Sequence, residues 1–92
     1  MVISLAVLTI RKEKATEVFK LMDRFVAEEK AKPGVLQVYY KRAVDNDDTF
    51  LLYTEYESRK AFETSDQDAQ KEGNVGFVLR PYLLKAFYGN FE

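Results

Sequence analysis

The chain has no cysteine, no histidine and no tryptophan. Without cysteine there are no disulfides, no thiolate nucleophile and no zinc–cysteine site, and a reducing cytoplasm is the natural location. Without histidine the chain lacks the side chain that titrates nearest neutrality, the commonest metal ligand and the proximal ligand of many haem sites. No metal, haem or other cofactor is therefore expected. Charge of one sign is also missing: the formal net charge is −1. That argues against nucleic acid or an anionic membrane as a partner, since both leave a basic footprint. No apolar run is long enough to span a bilayer. The N-terminal one lacks a basic n-region and alternates into the charged segment Arg11–Lys14, so it does not read as a signal peptide.

What is present is a folded domain of ordinary hydrophobic content, 47%, with 32% charged residues. Ninety-two residues make one domain, 1–92. A chain of this size buries roughly 60–65% of its unfolded surface, so its stability alone is marginal. The opening segment Val2–Ile10, VISLAVLTI, reads as a strand that is apolar on both faces. Val2, Ala6, Leu8 and Ile10 point one way; Ile3, Leu5 and Val7 point the other. Such a strand needs cover on both sides. The chain supplies about two helices, enough for one face. A second copy is the simplest cover for the other, so a homodimer is expected.

Lys14–Lys32 has helical periodicity. Val18, Leu21, Met22, Phe25 and Val26 form one stripe. Glu17, Lys20, Asp23, Arg24, Glu28 and Glu29 are assigned to the solvent face. Pro33–Gly34 stops this helix. Val35–Val44 and Thr49–Tyr56 follow as strands around the polar turn Asp45–Asp48. A four-residue hairpin loop there sets Tyr40 opposite Tyr53 and puts Tyr39 on one face with Thr54 and Tyr56. Ser58 caps a second helix over Arg59–Gln70, with Ala61, Phe62 and Ala69 inward. Gly73-Asn74-Val75-Gly76 is a breaker. In the apolar Phe77–Leu84, Pro81 predicts a short or kinked helix. Lys85–Phe91 closes as a strand, with Gly89 expected at a bulge or bend. The order is β-α-β-β-α-β, the ferredoxin-like α+β plan with a four-stranded antiparallel sheet.

Several local signals fail as sites. Asp45-Asn46-Asp47-Asp48 resembles the start of a calcium loop, but the sixth position is Phe50 rather than glycine and the twelfth is Tyr56 rather than glutamate. Glu55 and Glu57 share a strand face and read as a solvated strand end. Gly73-x-x-Gly76 is too short to cradle a phosphate. The same strand–helix order serves RNA-recognition modules, but here the first strand has no aromatic and TFLLYTEY has no glycine. The seven phenylalanines and six tyrosines are the one dense set. They suit a core and an interface, or an apolar pocket with tyrosine hydroxyls as its few polar groups.

The strand VISLAVLTI, the helix ending Lys32-Pro33-Gly34, the strand VLQVYYKRAV and the block Leu52-Tyr53-Thr54-Glu55-Tyr56-Glu57-Ser58-Arg59-Lys60-Ala61-Phe62 together resemble the antibiotic-biosynthesis monooxygenase family. The resemblance implies a dimeric α+β barrel, with two sheets packed face to face and a pocket between sheet and helices. Characterised members include cofactor-independent oxygenases of polycyclic phenols and quinones, haem degraders and enzymes on small signalling molecules. The chain departs from the family at two positions. Tyr56 stands where many members have tryptophan, and Ser65 where many have histidine. Haem degraders in the family use a histidine ligand, which this chain lacks.

The expected function is a cofactor-independent monooxygenase acting on a small aromatic or quinone-like compound. The alternative is a non-catalytic, small-molecule-binding or stress-associated dimer of the same fold. The expected pocket residues are Tyr39, from the hairpin register; Tyr56, from the family's tryptophan; Phe62, from the inward face of the second helix; and Phe77 and Tyr82, from the apolar segment. A base or oxyanion stabiliser would have to come from Tyr56, Arg80, Tyr82, Asn74 or a carboxylate, and none of these is assigned as catalytic. Tyr88 is expected to serve stability or dimerisation.

Overall fold

The computed structural model describes residues 1–68 and 78–92. Strands Val2–Ile10 (β1), Val35–Arg42 (β2), Thr49–Tyr56 (β3) and Leu83–Phe91 (β4) form one antiparallel sheet in the order β2-β3-β1-β4. Helices Ala15–Lys30 (α1) and Arg59–Asp68 (α2) complete the ferredoxin-like α+β fold. β1 and β3 are the central strands.

One face of the sheet carries the core. Ala6, Leu8 and Ile10 of β1 and Phe50 of β3 pack against Val18 and Met22 of α1 and against Leu79. Phe19 meets Phe50 edge-on at 5.1 Å between ring centroids. Tyr40 leans on both rings and donates its hydroxyl to Asp23 at 2.6 Å, which fastens β2 to α1. The other face carries Ile3, Leu5, Val7, Leu51, Tyr53, Phe87 and Phe91, and no described element covers it. Phe87 is 71% exposed, Phe91 56% and Val7 41%.

α1 ends at Lys30, and four residues on, Gly34 adopts φ +83°, a left-handed conformation suited to glycine. The Gly34 carbonyl then accepts the Glu57 amide at 2.8 Å, drawing the start of α2 close. Ser58 caps α2 as expected: its Oγ accepts the Ala61 amide at 3.1 Å. Residues 78–79 are helical and Arg80–Tyr82 is a 3-10 turn carrying Pro81. Ala69, the breaker 73–76 with Asn74, and Phe77 lie outside the described residues.

Three expectations are corrected. The hairpin loop has five residues, not four: the Ala43 amide donates to the Thr49 carbonyl at 2.9 Å, and Val44 is fully exposed. Tyr39 therefore pairs with Tyr53, and Tyr40 with Leu52. An odd loop shifts the register by one and exchanges the faces of β2. Secondly, Glu29 is buried rather than solvated, at 3% exposure. Thirdly, β4 is not bulged at Gly89. Gly89 pairs with Leu5 in regular register, and the irregularity lies at Thr9/Ile10. A Cβ on Gly89 would stand 3.0 Å from the Phe91 ring, which lies across this position.

Candidate functional site

The helix-bearing face of the sheet also floors a cavity of about 540 Å³. Strand alternation sets its floor in rows. Thr54, Ser4 and Asn90 are register neighbours across β3, β1 and β4 and make a polar row. The next row, Leu52, Ala6 and Tyr88, is largely apolar. Phe25 and Glu29 line the cavity from α1, and Phe62, Ser65 and Asp66 from α2. Leu79, Arg80 and Leu83 close in from the segment before and into β4.

At one end of the polar row sits a buried hydrogen-bonded cluster. Ser65 donates to Oε2 of Glu29 at 2.9 Å. The Tyr56 hydroxyl lies 3.2 Å from Ser65 Oγ and 3.3 Å from the same Glu29 oxygen, with both within donating reach. Oε1 of Glu29 accepts from Lys32 Nζ at 2.5 Å. Lys32 also stands 3.9 Å from Asp68. Among the described residues, no buried side-chain polar atom is left without a partner. A buried carboxylate is tolerated only when paired in this way.

Burial pushes the Tyr56 phenol up to about 12, and the neighbouring Glu29 carboxylate adds to this; the Ser65 hydrogen bond opposes it. Tyr56 is thus a neutral hydroxyl near neutral pH. It can donate and accept a hydrogen bond, but it is not a standing phenolate base. Its ring meets Phe62 edge-on at 5.7 Å, which fixes one wall.

The expected pocket residues divide. Tyr56 and Phe62 line the cavity together. Tyr39 does not. The odd hairpin register turns it to the open face, where it stacks on Tyr53 at 4.9 Å. Tyr82 packs on the core cluster beside the cavity wall rather than lining it. Phe77 lies outside the described residues. Tyr88 is on the cavity side of β4, not on the open face assigned to dimerisation, and it is 64% exposed. Among the lining residues that escaped the sequence reading are the polar groups Glu29, Ser4, Thr54 and Asn90. Glu29 had a readable signal. It continues the Val18, Met22, Phe25 spacing of the buried stripe by one more turn.

The description "antibiotic biosynthesis monooxygenase" belongs to a family whose sequence model matches residues 1–77. The chain belongs to this family. Solved structures agree on the fold. SnoaB, a cofactor-independent oxygenase from Streptomyces nogalater, solved as a point mutant, superposes with a TM-score of 0.84 at 18% identity, covering 99% of this chain and 90% of its own. A proposed antibiotic biosynthesis monooxygenase from Deinococcus radiodurans gives 0.86 at 18% identity, covering 100% and 91%. A conserved protein from Methanosarcina mazei Go1 gives 0.85 at 15%, covering 99% and 90%. No curated protein matches the chain significantly. Among the described residues no helix is long and apolar enough to cross a membrane, and no group of three acidic residues could hold a metal ion.

Proposed function

We propose that this family member is a cofactor-independent monooxygenase of a small aromatic or quinone-like compound, working as a cytoplasmic homodimer. The observation that carries this reading is the cavity's division into apolar walls and one polar row ending in the Tyr56–Ser65–Glu29 cluster. Its volume falls in the range of about 300–1,000 Å³ that suits small organic ligands. A flat ring system fits against Leu52, Ala6, Phe25 and Phe62, with its oxygens toward Ser4, Thr54, Asn90 and Tyr56. Once deprotonated, an electron-rich phenol can itself reduce oxygen. One oxygen atom enters the product and the other leaves as water; the substrate supplies all four electrons and is left oxidised to the quinone level.

The dimer rests on the uncovered face. Val7, Phe87 and Phe91 are exposed there beside Ile3, Leu5, Leu51 and Tyr53. A stable interface removes about 800 Å² per partner, within reach of a four-stranded face.

Oxygen uptake with a panel of hydroquinones tests the activity. The protein is expected to accelerate uptake above the buffer rate. Binding without acceleration would favour the second reading, a non-catalytic binder. That reading draws on Ser65, which stands where many members have histidine. Tyr56→Ala should weaken binding of a planar phenol by about 1–3 kcal/mol, since a ring face and a hydroxyl are lost together. A folded Tyr56→Ala that binds like wild type would remove Tyr56 from the site.

A further inference from the structure

A second, smaller hollow of about 280 Å³ opens on the surface between the end of α1 and α2. Lys32, Asp68 and Ser65 line it. Ser65 therefore borders both the cavity and the surface groove. The buried cluster runs between the two. Tyr56 faces the cavity, Ser65 and Glu29 stand in the wall, and Lys32 stands in the groove with 26% of its side chain exposed.

The hydrogen bonds converge on Glu29: Tyr56 donates to Ser65 and Ser65 to Glu29 from the cavity side, and Lys32 donates to Glu29 from the groove side. Each hydroxyl both donates and accepts, Glu29 only accepts, and Lys32 only donates. Tyr56 to Ser65 is 3.2 Å, Ser65 to Glu29 is 2.9 Å and Lys32 to Glu29 is 2.5 Å. If the only task were to tie α1 to α2, apolar packing would serve as well, since a buried ion pair is often no more stabilising than hydrophobic residues of similar volume. A continuous hydrogen-bonded line from the inner end of the cavity to the surface groove does something that packing cannot.

We propose that Tyr56, Ser65, Glu29 and Lys32 form a proton path from a hydroxyl bound in the cavity to the surface groove. It deepens the reading of the cavity as a site for hydroxylated aromatics and rests on it. The ligand O–H bond breaks and its electron pair stays on the ligand oxygen. The proton passes to the Tyr56 oxygen as the proton of Tyr56 passes to Ser65 and that of Ser65 to Glu29. Lys32 releases one proton to groove water, and its neutral amine takes the proton from Glu29 once the carboxyl group has turned to carry it from the Ser65 side to the Lys32 side. Every protein group is restored, and the ligand is left as its anion beside a neutral Tyr56. The path supplies without histidine the deprotonation that the oxygenase reaction requires. Tyr56 is the group that touches the ligand; Ser65, Glu29 and Lys32 act through it.

The test uses 1-naphthol, whose excited state is a strong acid and whose emission moves to longer wavelength once the proton has left. The probe is bound to an excess of purified protein. Emission from the naphtholate is expected in wild type. In Tyr56→Phe and in Ser65→Ala, the naphtholate share of the bound emission should fall several-fold. Tyr56→Phe keeps the buried ring, so it carries the test should Ser65→Ala fail to fold. Bound emission from neutral naphthol in wild type, or an unchanged naphtholate share in both variants, would overturn the path while leaving the cavity reading intact. Failure of naphthol to bind at all would overturn the cavity reading, and the path with it.

Discussion

Replacing Glu29 by glutamine measures what the buried carboxylate contributes to the fold. Its partners are unequal: Lys32 at 2.5 Å, Ser65 at 2.9 Å and Tyr56 at 3.3 Å, the last near the limit of a hydrogen bond. Hydrogen bonds to a charged group contribute about 1.5–3 kcal/mol each. Glutamine keeps the volume, so no cavity opens, and its carbonyl can still accept from Ser65. What is lost is the charge opposite Lys32. Removing one partner of a fully buried pair costs about 3–5 kcal/mol because the other charge is stranded. Lys32 is not stranded, since it keeps 26% of its side-chain surface in contact with water and has Asp68 at 3.9 Å. The loss should therefore fall below that range, at about 1–2 kcal/mol. Urea unfolding reads it as a lower midpoint with an unchanged slope. Protomer concentration must be held fixed, because dimerisation would otherwise enter the apparent stability. A Glu29→Gln variant as stable as wild type, or more stable, would refute the view that the charge of this buried carboxylate contributes to the stability of the fold.

Gly34→Ala should destabilise by about 1–3 kcal/mol, since alanine at φ +83° is strained and its Cβ would lie 2.6 Å from that of Ala61; thermal or urea unfolding checks it. Tyr40 and Tyr56, both pushed up to about 12 chiefly by burial, should ionise well above the ordinary phenol value of 10.0 in tyrosinate absorbance. Unfolded phenols ionise near 10.0 while these two hold their protons, so their contribution to stability is full below pH 10 and is lost as pH rises toward 12. Phe87→Asp, at a position 71% exposed, should leave the protomer's stability within about 0.5 kcal/mol. Sedimentation should show it shifted from dimer to monomer, and a dimer that persists would acquit the open face.

Much of the fold was legible because local signals agreed with one another. The double-faced β1, the α1 stripe, the Pro33–Gly34 stop and the Ser58 cap each follow from rules of spacing or capping. The β2 register was not legible, because binary pattern decides register only when the two faces differ. Tyr39 and Tyr40 are adjacent and alike, so either face of β2 could have been the inner one. What decides is the turn, where the Thr49 amide reaches the Asn46 carbonyl at 3.3 Å and fixes an odd loop. Of the candidate site, Tyr56 and Phe62 could be named in advance, whereas at Glu29 the spacing signal was outweighed by the charge of the side chain. A carboxylate is assigned to solvent by default, and only Ser65 from α2, Tyr56 from β3 and Lys32 from the loop after α1 make its burial tolerable. Those three are distant from one another in sequence or in element, so no spacing rule reports them. Gly89 was misread for a similar reason: its cause is the ring of Phe91, not a break in the ladder.

The wall shared by the cavity and the groove is, at Ser65, one side chain thick. On the proposed reading of the cavity, the depth available to a ligand at this end is set by a single side chain. A glycine at this position would thin the partition toward a through-passage, open to a long tail threaded past the ring system. A bulky residue would thicken it and shorten the blind end, favouring smaller rings. A lineage could change the size of compound it handles by steps at this one position, with the sheet, the core and the exposed face all unaltered.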